Sequence, residues 1–200
     1  PEAANLLRDV VKNDPRNPVE SVSWHDVQAF LQRLQAMLPP GCTAALPTEA
    51  EWEFACRAGT NDPFSWGRHI DSTQVYFDGR KTYDGGPRSE YLRRTVPVAS
   101  LPPNPWGLYE MHGNVWEWCE DSGTRRYETS ERPIDDPRDA GRGGDSSPRA
   151  LRGGSWIRSA RYCRSAFRLS YERGDRYGHL GFRLALRSSS TSPAPAYVGV

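Results

Sequence analysis

The sequence predicts one irregular α+β domain in which loops make up much of the mass. Three observations lead there. Two capped amphipathic stripes lie in the first third of the chain, short β-type runs separated by Gly, Pro, Asn and Asp fill the rest, and 7 Trp are spread over 200 residues. Buried indoles supply the apolar area that lets a loop-rich architecture hold together with little regular structure.

Taken in order, residues 1–16 carry Leu6, Leu7, Val10 and Val11 at helix-compatible spacing, closed by Asp14 and Pro15. They predict a short first helix. Ser23 then precedes Trp24, Val27, Phe30, Leu31, Leu34 and Leu38. That is an i, i+3, i+4 stripe, with Ser23 as N-cap, Asp26 at the third helical position and Pro39-Pro40-Gly41 as terminator. Thr48 with Glu51 forms a reciprocal capping box and opens a shorter helix that ends at Gly59 and turns Trp52, Ala55 and Cys56 inward. Beyond Gly59, strands are expected around 96–98, 116–118, 151–156 and 181–186. A polar, Gly-rich surface loop is expected from Asp121 to Pro148. The domain is expected to occupy 1–187, with a Ser, Thr, Pro and Ala-rich tail over 188–200.

Composition narrows the function classes. The net charge is +1 and the mean hydropathy is −0.75, so there is no global pull toward nucleic acid, and no apolar run approaches the roughly 18 residues of a membrane span. A soluble protein is expected, with no signal peptide visible behind Pro1 and no compartment assigned. Between Arg152 and Arg187 the chain holds 9 Arg against Glu172 and Asp175. This cationic stretch suits either internal ties to carbonyls and carboxylates or a ligand-binding role. Cys42, Cys56, Cys119 and Cys163 have no C-x-x-C spacing, so a zinc site is not expected, and free thiols and disulfides both stay open. The four His are scattered without a metal-type pair. Arg173-Gly174-Asp175 spells an adhesion tripeptide that an ordinary turn also explains.

Four segments then occur in order: NPVESVSWHDVQAF from Asn17, LPTEAEWEFACRAGT from Leu46, NPWGLYEMHGNVWEWCED from Asn104, and RGGSW at Arg152 with GFRLA at Gly181. Together they resemble the formylglycine-generating-enzyme, or sulfatase-modifying-factor, family over most of 17–186. The resemblance implies a C-type-lectin-like fold with two or three helices. In the family's oxidases it also implies a copper-bound cysteine pair that converts a substrate cysteine to formylglycine with oxygen. The second cysteine of that pair falls on Cys163, and Ser155 is present in its Gly-Gly-Ser element. The first falls on Arg158, and a guanidinium cannot ligate a soft ion such as Cu(I), so copper is not expected to bind. The resemblance further implies a calcium site built from Glu110 and Glu117 side chains with the Gly113 and Val115 carbonyls, hard oxygen ligands of the kind Ca²⁺ prefers. Glu110 stands where the enzymes often have a shorter Asn or Asp. The family's second calcium site is not recognisable between Gln74 and Thr95.

A broken oxidase pair on such a scaffold points to binding of a protein or small ligand. The expected face is Ile157, Arg158, Ser159, Arg161, Tyr162, Phe167, Leu169, Tyr171, Arg173, Tyr177 and His179. Its palette of Tyr, Arg, Ser, Gly and His resembles that of paratopes. The segment between RGGSW and GFRLA also looks like that of variable proteins of diversity-generating retroelements, around a Cys-Arg-Ser-Ala core at Cys163–Ala166. An ordinary family member with a fixed surface stays open beside that reading. So does an oxidase, or another redox enzyme, using Cys163 and Ser155.

Overall fold

A computed structural model describes residues 14–123 and 147–188. The predicted first helix before Asp14, most of the predicted loop over 121–148 and the tail beyond Ser188 lie outside the described residues. Two helices form where capping predicts them. Helix α1 (Trp24–Gln35) and helix α2 (Glu49–Arg57) both begin with complete capping boxes, Ser23 with Asp26 and Thr48 with Glu51. Each box satisfies two backbone donors that a helix end otherwise leaves open. Ala58 (φ 47°) ends α2 in the left-handed region, followed by Gly59.

The strands form two sheets. Strand β1 (Cys42–Ala45) pairs antiparallel with β6 (Ala185–Ser188), a ladder that includes Ser188. The larger sheet has the order β4-β3-β2-β5, from β2 (Trp116–Ser122), β3 (Arg149–Arg152), β4 (Leu169–Tyr171) and β5 (Leu180–Phe182). Its β2–β3 and β3–β4 pairs are antiparallel, and β2–β5 is parallel.

Three strand predictions need correction. Residues 96–98 form no strand, because the side chain of Asn114 serves as their ladder partner. Val96 N–H donates to Asn114 Oδ1 at 3.1 Å, and Asn114 Nδ2 donates to the Val96 carbonyl at 3.2 Å. The run 181–186 divides into β5 and β6, which belong to different sheets. The break falls at Arg183, which leaves the ladder for a buried carboxylate. The strand expected over 151–156 ends at Arg152, where Gly153 (φ 95°) and Gly154 (φ 78°) turn the chain.

The core joins α1 to both sheets through Val22, Val27, Leu31, Leu46, Trp116, Trp118, Leu151 and Leu180. A second cluster under α2 holds Trp52, Cys56, Met111, Cys119 and Ala150. Behind it lies a buried ion network: Arg152, wholly inaccessible, binds Glu53 and the Phe167 carbonyl, while Arg168 binds Glu49. Part of the cationic stretch is therefore internal scaffolding. All four cysteines are free.

Candidate functional site

The turn at Gly153–Gly154 leads into the fully buried Ser155 and then into a half-buried loop, 156–159. Arg158 N–H donates to the Ser155 carbonyl at 3.0 Å, and the Arg158 carbonyl accepts from Asp78 N–H at 2.8 Å. One turn of 3-10 helix follows, Ala160–Cys163, which buries Cys163 completely. The chain packs so closely there that a Cβ on Gly154 would lie 2.6 Å from Cys163 Sγ. Burial pushes the Cys163 thiol up to about 12, with the Ser155 amide pulling weakly the other way. At neutral pH the thiol is protonated, and a thiolate ligand would have to be made against that cost.

Arg158 lies folded among rings. Its guanidinium is 5.6 Å from the Tyr162 ring centre, and its Nη2 donates to the Tyr171 hydroxyl at 3.4 Å. Tyr171 meets Tyr177 edge-on at 5.4 Å, and Tyr177 stacks on His179 at 5.4 Å with an 11° interplanar angle. Burial holds the His179 imidazole down to about 4, with the Arg158 charge acting in the same direction. Five of the predicted face residues, Arg158, Tyr162, Tyr171, Tyr177 and His179, thus form one contiguous group.

Others serve elsewhere. Phe167 packs on Trp116 and Tyr162, and Leu169 pairs with Leu151 in the sheet. Arg173 is buried over the Trp24 ring at 5.1 Å and donates to the Ser147 carbonyl, so the Arg-Gly-Asp tripeptide is anchored through its first residue. Ser159 uses its carbonyl to accept from Cys163 Sγ and Tyr162 N–H. Ile157 is half-buried and Arg161 exposed. The sequence reading did not include Tyr91, which stacks on Trp156 with an Arg80 guanidinium 4.4 Å from its ring, so that the 78–93 loop extends the same face.

The residues of the calcium motif surround a separate pocket, lined in part by Asn17, Ala99, Glu110, Asn114, Val115, Glu117 and Arg183. Glu117 is buried and strongly engaged: Arg183 donates to it from Nε at 2.5 Å and Nη2 at 2.7 Å, and Trp52 Nε1 donates at 2.6 Å. Arg183 Nη2 also reaches the Tyr109 carbonyl at 3.0 Å. Glu110 Oε2 accepts from Ala99 N–H at 3.0 Å, whereas Glu110 Oε1 is buried without a partner, as is Asn17 Oδ1. Burial raises the Glu110 carboxyl, and amides of the 99–101 loop counter it. An orphaned carboxylate oxygen on Glu110, in a pocket that Asn17 also lines, suits a hard cation. The copper pair has no such fit, because Arg158 offers no ligand atom.

The chain matches the model of the sulfatase-modifying factor enzyme 1-like domain over residues 3–188. It is 35% identical to a formylglycine-generating enzyme of Streptomyces coelicolor, over 98% of this chain and 60% of that protein. It is 31% identical to the inactive C-alpha-formylglycine-generating enzyme 2 of Bos taurus, over 72% and 40% respectively. The chain spans about half the length of the curated relatives it matches. Among solved structures, Treponema denticola variable protein 1 superposes with a TM-score of 0.69 at 28% identity, over 90% of this chain and 74% of that one. The α+β architecture expected from the sequence is the fold of these proteins. No helix among the described residues is long and apolar enough to cross a membrane.

Proposed function

The chain belongs to the sulfatase-modifying factor enzyme 1-like family, and we propose that it is a non-catalytic recognition domain that binds a protein ligand through the 157–180 side of the fold. One observation carries this reading: the position that holds the first copper cysteine in the family's oxidases is Arg158, whose side chain lies between Tyr162 and Tyr171. The surviving Cys163 is buried, and its thiol sits at about 12. A relative whose name describes it as inactive supports the reading, as does the likeness to a variable protein.

In the finer form of the proposal, the exposed and half-buried positions of 157–180 are diversified by a retroelement, while Gly153, close against Trp52, and Gly154, close against Cys163, are held fixed along with Cys163. Deep sequencing of this gene across a population tests that form. The expected result is substitution concentrated at Arg158, Tyr162, Tyr171, Tyr177 and His179, and none at Gly154. A uniform distribution of changes would leave an ordinary fixed surface. Oxygen-dependent loss of a peptide cysteine above a Cys163→Ser background would overturn the recognition reading altogether.

A second reading concerns calcium, and the orphaned Glu110 Oε1 favours it. In this proposal Glu110 and Glu117, with the Gly113 and Val115 carbonyls and Asn17 Oδ1, hold Ca²⁺ as a structural ion. Arg183 stays on Glu117 and lowers the site's net negative charge, so the affinity is modest. Chelation of calcium-loaded protein then lowers the melting temperature by mass action, and Glu110→Gln abolishes that shift. An unchanged melting temperature on chelation refutes the site.

A further inference from the structure

The recognition face contains a cation without a counter-charge. Among the described residues Arg183, Arg168 and Arg152 each meet a carboxylate, Glu117, Glu49 and Glu53 respectively. Arg158 has only the Tyr171 hydroxyl, at the long distance of 3.4 Å, and its Nε is buried without a partner. The His179 Nε2 beside it is likewise buried and unpartnered. The Oγ of Ser155, whose carbonyl accepts from Arg158 N–H, is also buried without a partner.

Native interiors leave few polar atoms unsatisfied, so the three on Arg158, His179 and Ser155 call for an explanation. The atoms are chemically alike. Guanidinium N–H and the hydroxyls of Ser155 and Tyr171 all can donate, the last because accepting from Arg158 leaves its own proton free. A neutral imidazole donates from Nε2 in one of its tautomers. A donor-rich, cation-centred region in which no carboxylate pairs with Arg158 among the described residues is complementary to an oxyanion, whose planar or tetrahedral oxygens match the guanidinium fork.

We propose that this face carries an oxyanion subsite in which a carboxylate or phosphate group of the ligand docks on Arg158, with the Tyr171 hydroxyl and His179 as its other partners. The subsite rests on the reading of 157–180 as a recognition surface, and it names the ligand chemistry: an acidic side chain, or a phosphate group, presented at the contact. The surrounding Tyr162 and Tyr177 rings flank the charge and exclude water around it, which strengthens a charge-assisted bond relative to an open surface.

The test is a titration of the full chain, followed by NMR of the His179 imidazole and the Tyr171 ring, with inorganic phosphate and separately with N-acetyl-aspartate amide. Sodium chloride at matched ionic strength serves as the control. A saturable shift with at least one probe is expected, and which probe saturates distinguishes a phosphate from a carboxylate source. Arg158→Gln should weaken the response by about tenfold or more, Arg158→Lys should keep part of it through its point charge, and Arg33→Gln on the exposed face of α1 should leave it unchanged. No saturable shift with either probe, or an equal shift in Arg158→Gln, overturns the subsite. Cysteine oxidation by the wild-type chain would instead overturn the recognition reading, so the two failures are separable.

Discussion

Replacing Arg183 by Gln strips Glu117 of both charge-assisted bonds while the carboxylate stays nearly inaccessible, with Trp52 Nε1 as its one remaining donor. Breaking one side of a buried pair costs about 3–5 kcal/mol, because the surviving charge keeps its desolvation penalty without its partner. For a domain of this size each kcal/mol moves the midpoint by roughly 2–4 °C, so Arg183→Gln should lower the melting temperature by roughly 6–20 °C. Glu117→Gln exchanges the charge for a neutral amide that still accepts from Trp52 and Arg183, and should cost less. The double variant Glu117→Gln/Arg183→Gln should recover part of the loss, with a coupling energy on the order of 1–3 kcal/mol. The assay is urea and thermal unfolding of the four proteins in the presence of a chelator, so that any bound cation does not mask the pair. An Arg183→Gln midpoint indistinguishable from wild type, or strictly additive singles, would refute the reasoning that this pair ties β5 to β2.

Three further outcomes follow from the same geometry. Burial holds His112 down to about 4 against an ordinary value of 6.5, with Nδ1 donating to the Cys163 carbonyl at 2.7 Å. The unfolded chain therefore takes up the proton first, so stability should be flat above about pH 6.5. The His112 contribution should fall by on the order of 3 kcal/mol as pH drops to about 4; His179, also held down to about 4, adds to the same slope, so His112→Gln should flatten it only by the His112 share in pH-dependent urea unfolding. Gly154→Ala forces a side chain into φ 78° and against Cys163 Sγ, and should cost roughly 2–5 kcal/mol by chemical denaturation, relieved in part by Cys163→Ala. Arg158→Cys restores the family's cysteine spacing and should raise Cu(I) affinity by more than about tenfold in a competition titration against a colorimetric chelator.

The helices were legible because their signals are local. Ser23 with Asp26 and Thr48 with Glu51 spell their caps within four residues, and both boxes form. The strands were legible only where the partner does not matter. Val96 and its neighbours have strand composition, yet Asn114, eighteen positions away, supplies their hydrogen bonds from a side chain. Residues 181–186 read as a single strand in the sequence, and only the tertiary fold assigns its halves to β2 and β1. The face follows the same division. The 157–180 residues could be named from sequence because they lie between two recognisable words. The stacking of Tyr91 on Trp156 and the arrival of Asn17 beside Glu110 depend on contacts between distant segments, for which no local pattern exists. Arg173 shows the reverse error: its exposed-looking turn sequence conceals a guanidinium packed on Trp24.

The central claim is that a fold shared with oxidases here recognises a ligand and does not oxidise one. Its most direct test is an anaerobic Cu(I) titration of the reduced wild-type chain, followed by oxygen uptake on a cysteine-containing peptide, with Cys163→Ser alongside. The account predicts copper binding no tighter than in Cys163→Ser and no peptide-dependent oxygen consumption. One equivalent of tightly held, Cys163-dependent copper with turnover would contradict it.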